Sequence, residues 1–228
     1  RGLWRQPRYW TAIALGALVS VGAVVPFFLP FLAVQQELGF TRTIDDAAMF
    51  SANWQAWLTS AAWAHRWWFP WLTGSSEVLF PGVIVTVLGL AGLALALRGR
   101  APTLGDGVTA TGEPAQGHVR EVAGFYALVG AIAFWGSFGP AAGLYTLLFH
   151  TIPIFSFLRA PARFGLAVVL VLIVGLGYAM VWLSRRWPAR APMLAATLPL
   201  LLAAELASVP LALPEVPPPD NGYRMLAT

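Results

Sequence analysis

Five apolar runs divide this chain, and each approaches the roughly 20 helical residues needed to cross about 30 Å of hydrocarbon. They cover about residues 10–34, 78–97, 122–138, 164–183 and 191–211. The chain as a whole is 58% hydrophobic and 11% charged, with a mean hydropathy of +0.68. A soluble domain carries about a quarter charged residues. The expected fold is therefore all-α, a polytopic transmembrane bundle of about five spans. A membrane barrel would show alternating strands of about ten residues, which this pattern is not. Helices satisfy their own backbone groups in lipid. The third run is the shortest, and Pro199 predicts a kink in the fifth.

All 14 basic residues are arginine, and they border the apolar runs. With the N-terminus in the cytoplasm, the inner segments hold nine arginines: Arg1, Arg5, Arg8, Arg98, Arg100, Arg120, Arg185, Arg186 and Arg190. The outer segments hold five: Arg42, Arg66, Arg159, Arg163 and Arg224. The positive-inside rule selects this orientation. It makes 35–77 an outer loop, 98–121 an inner loop and 1–213 the transmembrane domain. Residues 214–228 become a Pro-rich extracytoplasmic tail. The expected location is a bacterial inner membrane, crossed several times, with the C-terminus outside. The arginines form no soluble basic face, so the sequence pI near 10.1 does not signal nucleic acid. With no cysteine there is no disulfide, thiolate metal site or cysteine nucleophile. The chain opens on Arg1 and closes on what reads as the start of another element, so it is expected to be a piece of a longer protein, cut at both ends.

The outer loop has its own pattern. Thr43-Ile44-Asp45-Asp46 fits a capping box, with Thr43 as cap. A helix is expected from there to about Ala64, with Phe50, Trp54, Trp57, Leu58 and Ala61 on one face. Trp63, Trp67, Trp68 and Trp71 follow. So many tryptophans suit either an interfacial belt or the aromatic wall of a sugar or lipid groove. Asp45 and Asp46 suit helix-end stabilisation or a general-base or metal-binding role. Successive helical residues point about 100° apart, so two adjacent aspartates seldom share one ion. Glu77 reads either as a cap for the second span or as a carboxylate facing the outer arginines.

The densest signal is Leu158-Arg159-Ala160-Pro161-Ala162-Arg163-Phe164. Gly139-Pro140 breaks the chain before it, and residues 143–157 are apolar, interrupted by Pro153 and too short to span. They read as a re-entrant or interfacial segment. Pro161 suits the first position of the fourth helix, which puts Arg163 in its first turn. Two arginines add charge to an end that is already positive. An anion would balance that charge, and guanidinium forks match phosphate. The competing reading is that both arginines reach bulk lipid phosphates, or pair with Glu77 or with a carboxylate outside this piece of the chain. His150 could support such a site or be structural. Glu205, an ionisable residue within the fifth run, is a functional suspect or an internal hydrogen-bonding group.

Several short stretches occur in a recognisable order: Phe50-Ser51-Ala52-Asn53; Glu77 with Leu79-Phe80-Pro81-Gly82; Gly136-Ser137-Phe138-Gly139-Pro140; the 158–164 segment; and Tyr223-Arg224-Met225-Leu226-Ala227. Over about residues 40–228 the chain resembles bacterial polytopic membrane glycosyltransferases of the GT-C type, including those with a YfhO-like organisation. The resemblance implies sugar transfer from a polyprenyl-phosphate donor at the outer face, with no nucleotide-sugar fold. Arg159 and Arg163 would hold the donor phosphate. The catalytic aspartate of that family lies in the first outer loop, upstream of the expected start of this piece. The catalytic residue is therefore unassigned, with Asp45 and Asp46 as weak candidates. No cofactor is evident, and a divalent metal is compatible. The implied partners are membrane lipid and the lipid-linked sugar. Two alternatives stay open: a transporter or lipid-handling protein, and a non-catalytic membrane subunit.

Overall fold

A computed structural model describes residues 7–38, 43–67, 71–72, 77–100, 115–152, 155 and 159–208. Among these the structure is all-helical, with no strand. The chain divides into two units, residues 1–43 and 44–228. The first unit contains α1, Pro7–Leu38, a 32-residue helix that carries Pro26 and Pro30 in its interior. Its window Trp10–Phe27 is long and apolar enough to cross a membrane and buries nothing within the protein. In water such a surface would be a large aggregation-prone patch. In lipid it is an ordinary solvent-facing one.

The second unit contains α2 (Ile44–Met49), α3 (Val83–Leu97), α4 (Ala115–Ser137), α5 (Leu144–Thr151), α6 (Gly165–Arg186) and α7 (Ala191–Leu206). Candidate membrane-crossing stretches there are His118–Ser137, Pro161–Arg186 and Pro188–Leu206. The second apolar run behaves differently from the expected 78–97 span. Its helix begins only at Val83, and 77–82 are non-helical. Pro81 disfavours helical backbone at Phe80. Gly82 then takes φ 97, ψ 156, a conformation that L side chains rarely adopt. Pro199 lies inside α7, which runs unbroken from Ala191 to Leu206. Residues 101–114, within the expected inner loop, and the tail from 209 lie outside the described residues.

Helices α3 and α6 make the closest approach, with α4 packed against both. Gly89 and Gly92 of α3 meet Leu172, Gly175 and Ala179 of α6. A Cβ at Gly89 would stand 2.6 Å from the Leu172 carbonyl oxygen, and one at Gly92 would stand 2.6 Å from the Ala179 nitrogen. Small residues three or four apart bring backbones together where no hydrophobic effect drives helices to associate. Beside this seam, Leu93, Ala96, Ala123 and Val171 form a buried cluster. Gly92→Ala should cost about 1–3 kcal/mol, as expected for an overpacked core. Gly177→Ala, at a position with nothing within 4 Å, should instead stabilise by about 0.5–1 kcal/mol. Thermal unfolding of the two variants in detergent checks the opposite signs.

Candidate functional site

The 35–77 loop departs from the expected amphipathic helix. A helix does begin at Ile44, directly after Thr43, but it ends at Met49. Residues 50–62 run through turns and irregular backbone instead of continuing to Ala64. Burial follows small residues, not the expected aromatic face. Ala52, Ala56 and Ala62 are buried, whereas Trp54, Leu58 and Ala61 are exposed. Tertiary hydrogen bonds decide this. The Ala52 N–H donates to the Ser137 carbonyl (2.8 Å), the Leu79 N–H to the Ala56 carbonyl (2.9 Å) and the Phe80 N–H to the Thr59 carbonyl (3.1 Å). The side chain of Asn53 accepts from the Ala56 N–H (2.8 Å). The half-buried Trp57 donates from Nε1 to the Ser137 hydroxyl (3.2 Å). Trp67 and Trp71 stay exposed, in keeping with an interfacial position. Trp68 lies outside the described residues.

These contacts bring together four of the short stretches singled out in the sequence. Phe50 accepts through its carbonyl from the Ala162 N–H (3.2 Å). Gly139, at φ 62, lies against Ser51 and Pro161. Gly136 packs on Phe164, and Gly165 packs on Leu79. Ala52, Ala56 and Ala162 form one buried cluster, flanked by Trp57 and Leu79. The stretches 50–53, 79–82, 136–140 and 159–164 are thus one structural knot.

The two arginines sit on this knot. The Arg159 guanidinium lies 4.0 Å from the centroid of the Phe50 ring. At an exposed site such a contact is worth about 0.5–1 kcal/mol and fixes the plane of the fork. Arg163 is exposed. No ion pair joins either arginine to Glu77 among the described residues. The helix start differs from expectation. Pro161–Phe164 is a 3₁₀ turn, and α6 begins at Gly165. The Ala162 N–H is spent on Phe50 and the Arg163 N–H on the Ala160 carbonyl (3.1 Å). Those two amides cannot serve an anion, so the guanidinium groups would have to grip it themselves.

The other candidates are dispersed. Asp45 and Asp46 lie in the first turn of α2. His150, in the last turn of α5, is exposed, with its ring edge-on to Phe149 at 5.5 Å. The preceding segment is a short helix, as expected of a non-spanning element. Its Tyr145 is fully buried, and the phenol donates to the Phe155 carbonyl (3.2 Å). Burial raises the pKa of that phenol above its ordinary value. Among the described residues no group of three or more His, Asp or Glu side chains could hold a metal ion.

Glu205 has a definite role. Its carboxylate accepts from the backbone N–H groups of Val83 and Ile84, the latter at 3.1 Å to Oε2. It is the anion at a helix N-terminus, that of α3. It also meets Nε2 of His65 at 3.1 Å. His65 is buried, with Nδ1 2.9 Å from the buried Ser60 hydroxyl. His65 and Ser60 are not among the candidates that the sequence marks. The one available signal was a histidine inside a tryptophan-rich, otherwise weakly polar loop.

Two apolar cavities adjoin the knot. One of about 410 Å³ lies among α3, α4 and α6, with Trp57, Leu58 and Phe80 at one end and Leu90, Phe134 and Val171 among its walls. That is within the roughly 300–1,000 Å³ typical of ligand sites. A second, of about 320 Å³, is lined by Leu58, Trp67, Trp71, Leu72 and Phe80. Leu58 and Phe80 are shared by both.

Comparison of the chain with family models, with curated proteins and with solved structures found no match. The knot itself gives a test of its geometry. Gly139→Ala should cost upwards of about 2 kcal/mol, since a left-handed L residue alone costs roughly 1–2 kcal/mol and the new methyl meets Ser51. Adding Ser51→Gly should recover the clash but not the backbone strain, a partial rescue readable in the unfolding midpoint.

Proposed function

We propose that the chain belongs to a multi-pass membrane glycosyltransferase that uses a polyprenyl-phosphate-linked sugar at the outer face of a bacterial inner membrane. The observation carrying this reading is the pair of exposed arginines on the 50–53/136–140/159–164 knot, with no Glu77 carboxylate neutralising them. Phe50 orients one guanidinium for a planar, two-pronged contact with phosphate oxygens. The adjoining apolar cavity suits a hydrocarbon chain, whose phosphate would then stay at the polar edge. The arginine balance supports an orientation with these residues outside. Asp45 and Asp46 precede Phe50 on the same segment and are the carboxylates to test for activation of an acceptor hydroxyl. Glu205 is committed to α3 and His65, so it is left out of the chemistry.

The nearly wholly apolar cavity also supports a second reading, a lipid-handling protein without transfer chemistry. The two readings share the arginine site and differ in turnover. With the full-length protein in vesicles, Arg159→Ala/Arg163→Ala should weaken binding of a polyprenyl phosphate at least tenfold. Hydrogen bonds to charged groups are worth about 1.5–3 kcal/mol, and about 1.4 kcal/mol is a factor of ten. Unchanged binding in a normally expressed double variant removes the phosphate site. Binding without sugar release from the lipid-linked donor favours the second reading.

A further inference from the structure

Apart from the arginine knot, a third exposed cation stands beside an apolar groove. The 3₁₀ turn Trp63–His65 leads directly into Arg66 and Trp67. The Trp63 N–H donates to the Ala207 carbonyl (2.8 Å), and the Arg66 N–H donates back to the Trp63 carbonyl (3.3 Å). His65, buried beneath them, adds its contact with Glu205 of α7 at 3.1 Å. Ala207 directly follows the candidate membrane-crossing stretch Pro188–Leu206. The bond to it sets the turn at the end of that stretch, the depth favoured by tryptophan rings and arginine side chains.

The Arg66 guanidinium lies 3.7 Å from the Trp63 ring centroid. That contact engages its face and leaves the N–H groups in its plane to donate, in a fork that matches phosphate. The side chain is exposed, and no carboxylate pairs with it among the described residues. Trp67, one residue on, is a wall of the smaller cavity, about 320 Å³, together with Leu58, Trp71, Leu72 and Phe80. Consecutive Cα atoms are about 3.8 Å apart, so cation and groove are neighbours. The walls are leucines and aromatic rings, where water finds too few hydrogen-bond partners to settle. One turn of α-helix, about 10 Å wide and 5.4 Å tall, takes up about 400 Å³. The groove is thus sized for a single hydrocarbon chain. Its common walls with the larger cavity are held by backbone bonds, from the Leu58 N–H to the Gln55 carbonyl (2.9 Å) and from the Phe80 N–H to the Thr59 carbonyl (3.1 Å).

We propose that Arg66 and this groove bind an anionic phospholipid of the surrounding leaflet. Its phosphate lies against the Arg66 guanidinium, and one acyl chain runs along Trp67, Trp71 and Leu72. Three features select this occupant. The groove takes hydrocarbon and excludes water. The guanidinium fork takes phosphate oxygens. A cation with no carboxylate partner favours a lipid of net negative charge over a zwitterionic one, whose ammonium group would bring a second positive charge to the same place. Arg159 and Arg163 sit apart, on the Phe50 knot, so the site does not depend on the sugar-transfer reading.

Photo-crosslinking of the full chain in phosphatidylcholine vesicles tests this. The vesicles carry a trace of phosphatidylglycerol or of phosphatidylcholine with a diazirine in the same acyl chain, and the label is mapped by peptide mass spectrometry. Leu58, Trp67, Trp71 and Leu72 should take up the phosphatidylglycerol label about fivefold over the phosphatidylcholine label, as one cation near an anionic lipid predicts. Arg66→Gln, at an exposed side chain, should bring the two labels to parity. Leu72→Trp, which fills the groove without touching the larger cavity, should lower both. Arg159→Ala/Arg163→Ala should change neither. Equal labelling by the two lipids in the unaltered protein overturns the proposal, as does a phosphatidylglycerol excess that survives Arg66→Gln. A groove without label, or one cross-linked to a second copy of the chain, overturns it too. Loss of the label to excess unlabelled polyprenyl phosphate, or in the Arg159→Ala/Arg163→Ala variant, assigns the groove to the lipid-linked substrate and overturns the phospholipid site.

Discussion

The close contact of α3 with α6 is the constraint on which the rest of the second unit depends. Helices in lipid gain nothing by hiding apolar surface from each other. Their association rests on how nearly their backbones can approach. Gly89, Gly92 and Gly175 allow backbone-to-backbone contact there. Once that seam is fixed, α4 can pack across both helices, and Gly130 meets Val171 without obstruction. The start of α6 and the segment before α3 are then held side by side. Leu79 reaches Gly165, and residues 50–62 have a fixed floor to dock on.

Two helix starts are treated differently at that end of the bundle. At α6 the chain spends the Ala162 and Arg163 amides on its own carbonyls and leaves guanidinium groups exposed. At α3 the amides are left for a carboxylate, which Glu205 brings from α7. The first arrangement keeps positive charge available at the surface, whereas the second consumes negative charge inside. The contrast separates exposed positive charge from a helix N-terminus whose amides are already taken by the protein's own carboxylate.

Apolar run length made the all-helical fold legible, because a membrane leaves few other ways to satisfy the backbone. Thr43 and the aspartates marked the start of α2, and the short apolar stretch after Gly139-Pro140 marked α5. The 35–77 loop misled because its helical spacing of Phe50, Trp54, Trp57 and Leu58 is local, whereas its fold is set by partners far along the chain. Ser137 is 80 residues from the Trp57 it binds, and Glu205 is 140 residues from His65. Single-chain periodicity carries no trace of such pairs. The 158–164 segment stood out through its charge, but the 3₁₀ turn that spends its amides follows from contact with Phe50. Glu205 stood out as an ion within an apolar helix, and its partner could not be read.

The late start of α3 has a consequence for the bilayer. At 1.5 Å per residue its 15 residues rise only about 22 Å, short of roughly 30 Å of hydrocarbon. Its neighbour α6 lies in a 26-residue apolar stretch and carries no such shortfall. Irregular backbone at membrane depth survives only where protein satisfies it. The donors of Leu79 and Phe80 are satisfied by Ala56 and Thr59, and those of Val83 and Ile84 by Glu205. Residues 56 and 59 of the loop and Glu205 of α7 therefore supply the acceptors that an early start of the short helix would otherwise have provided within it.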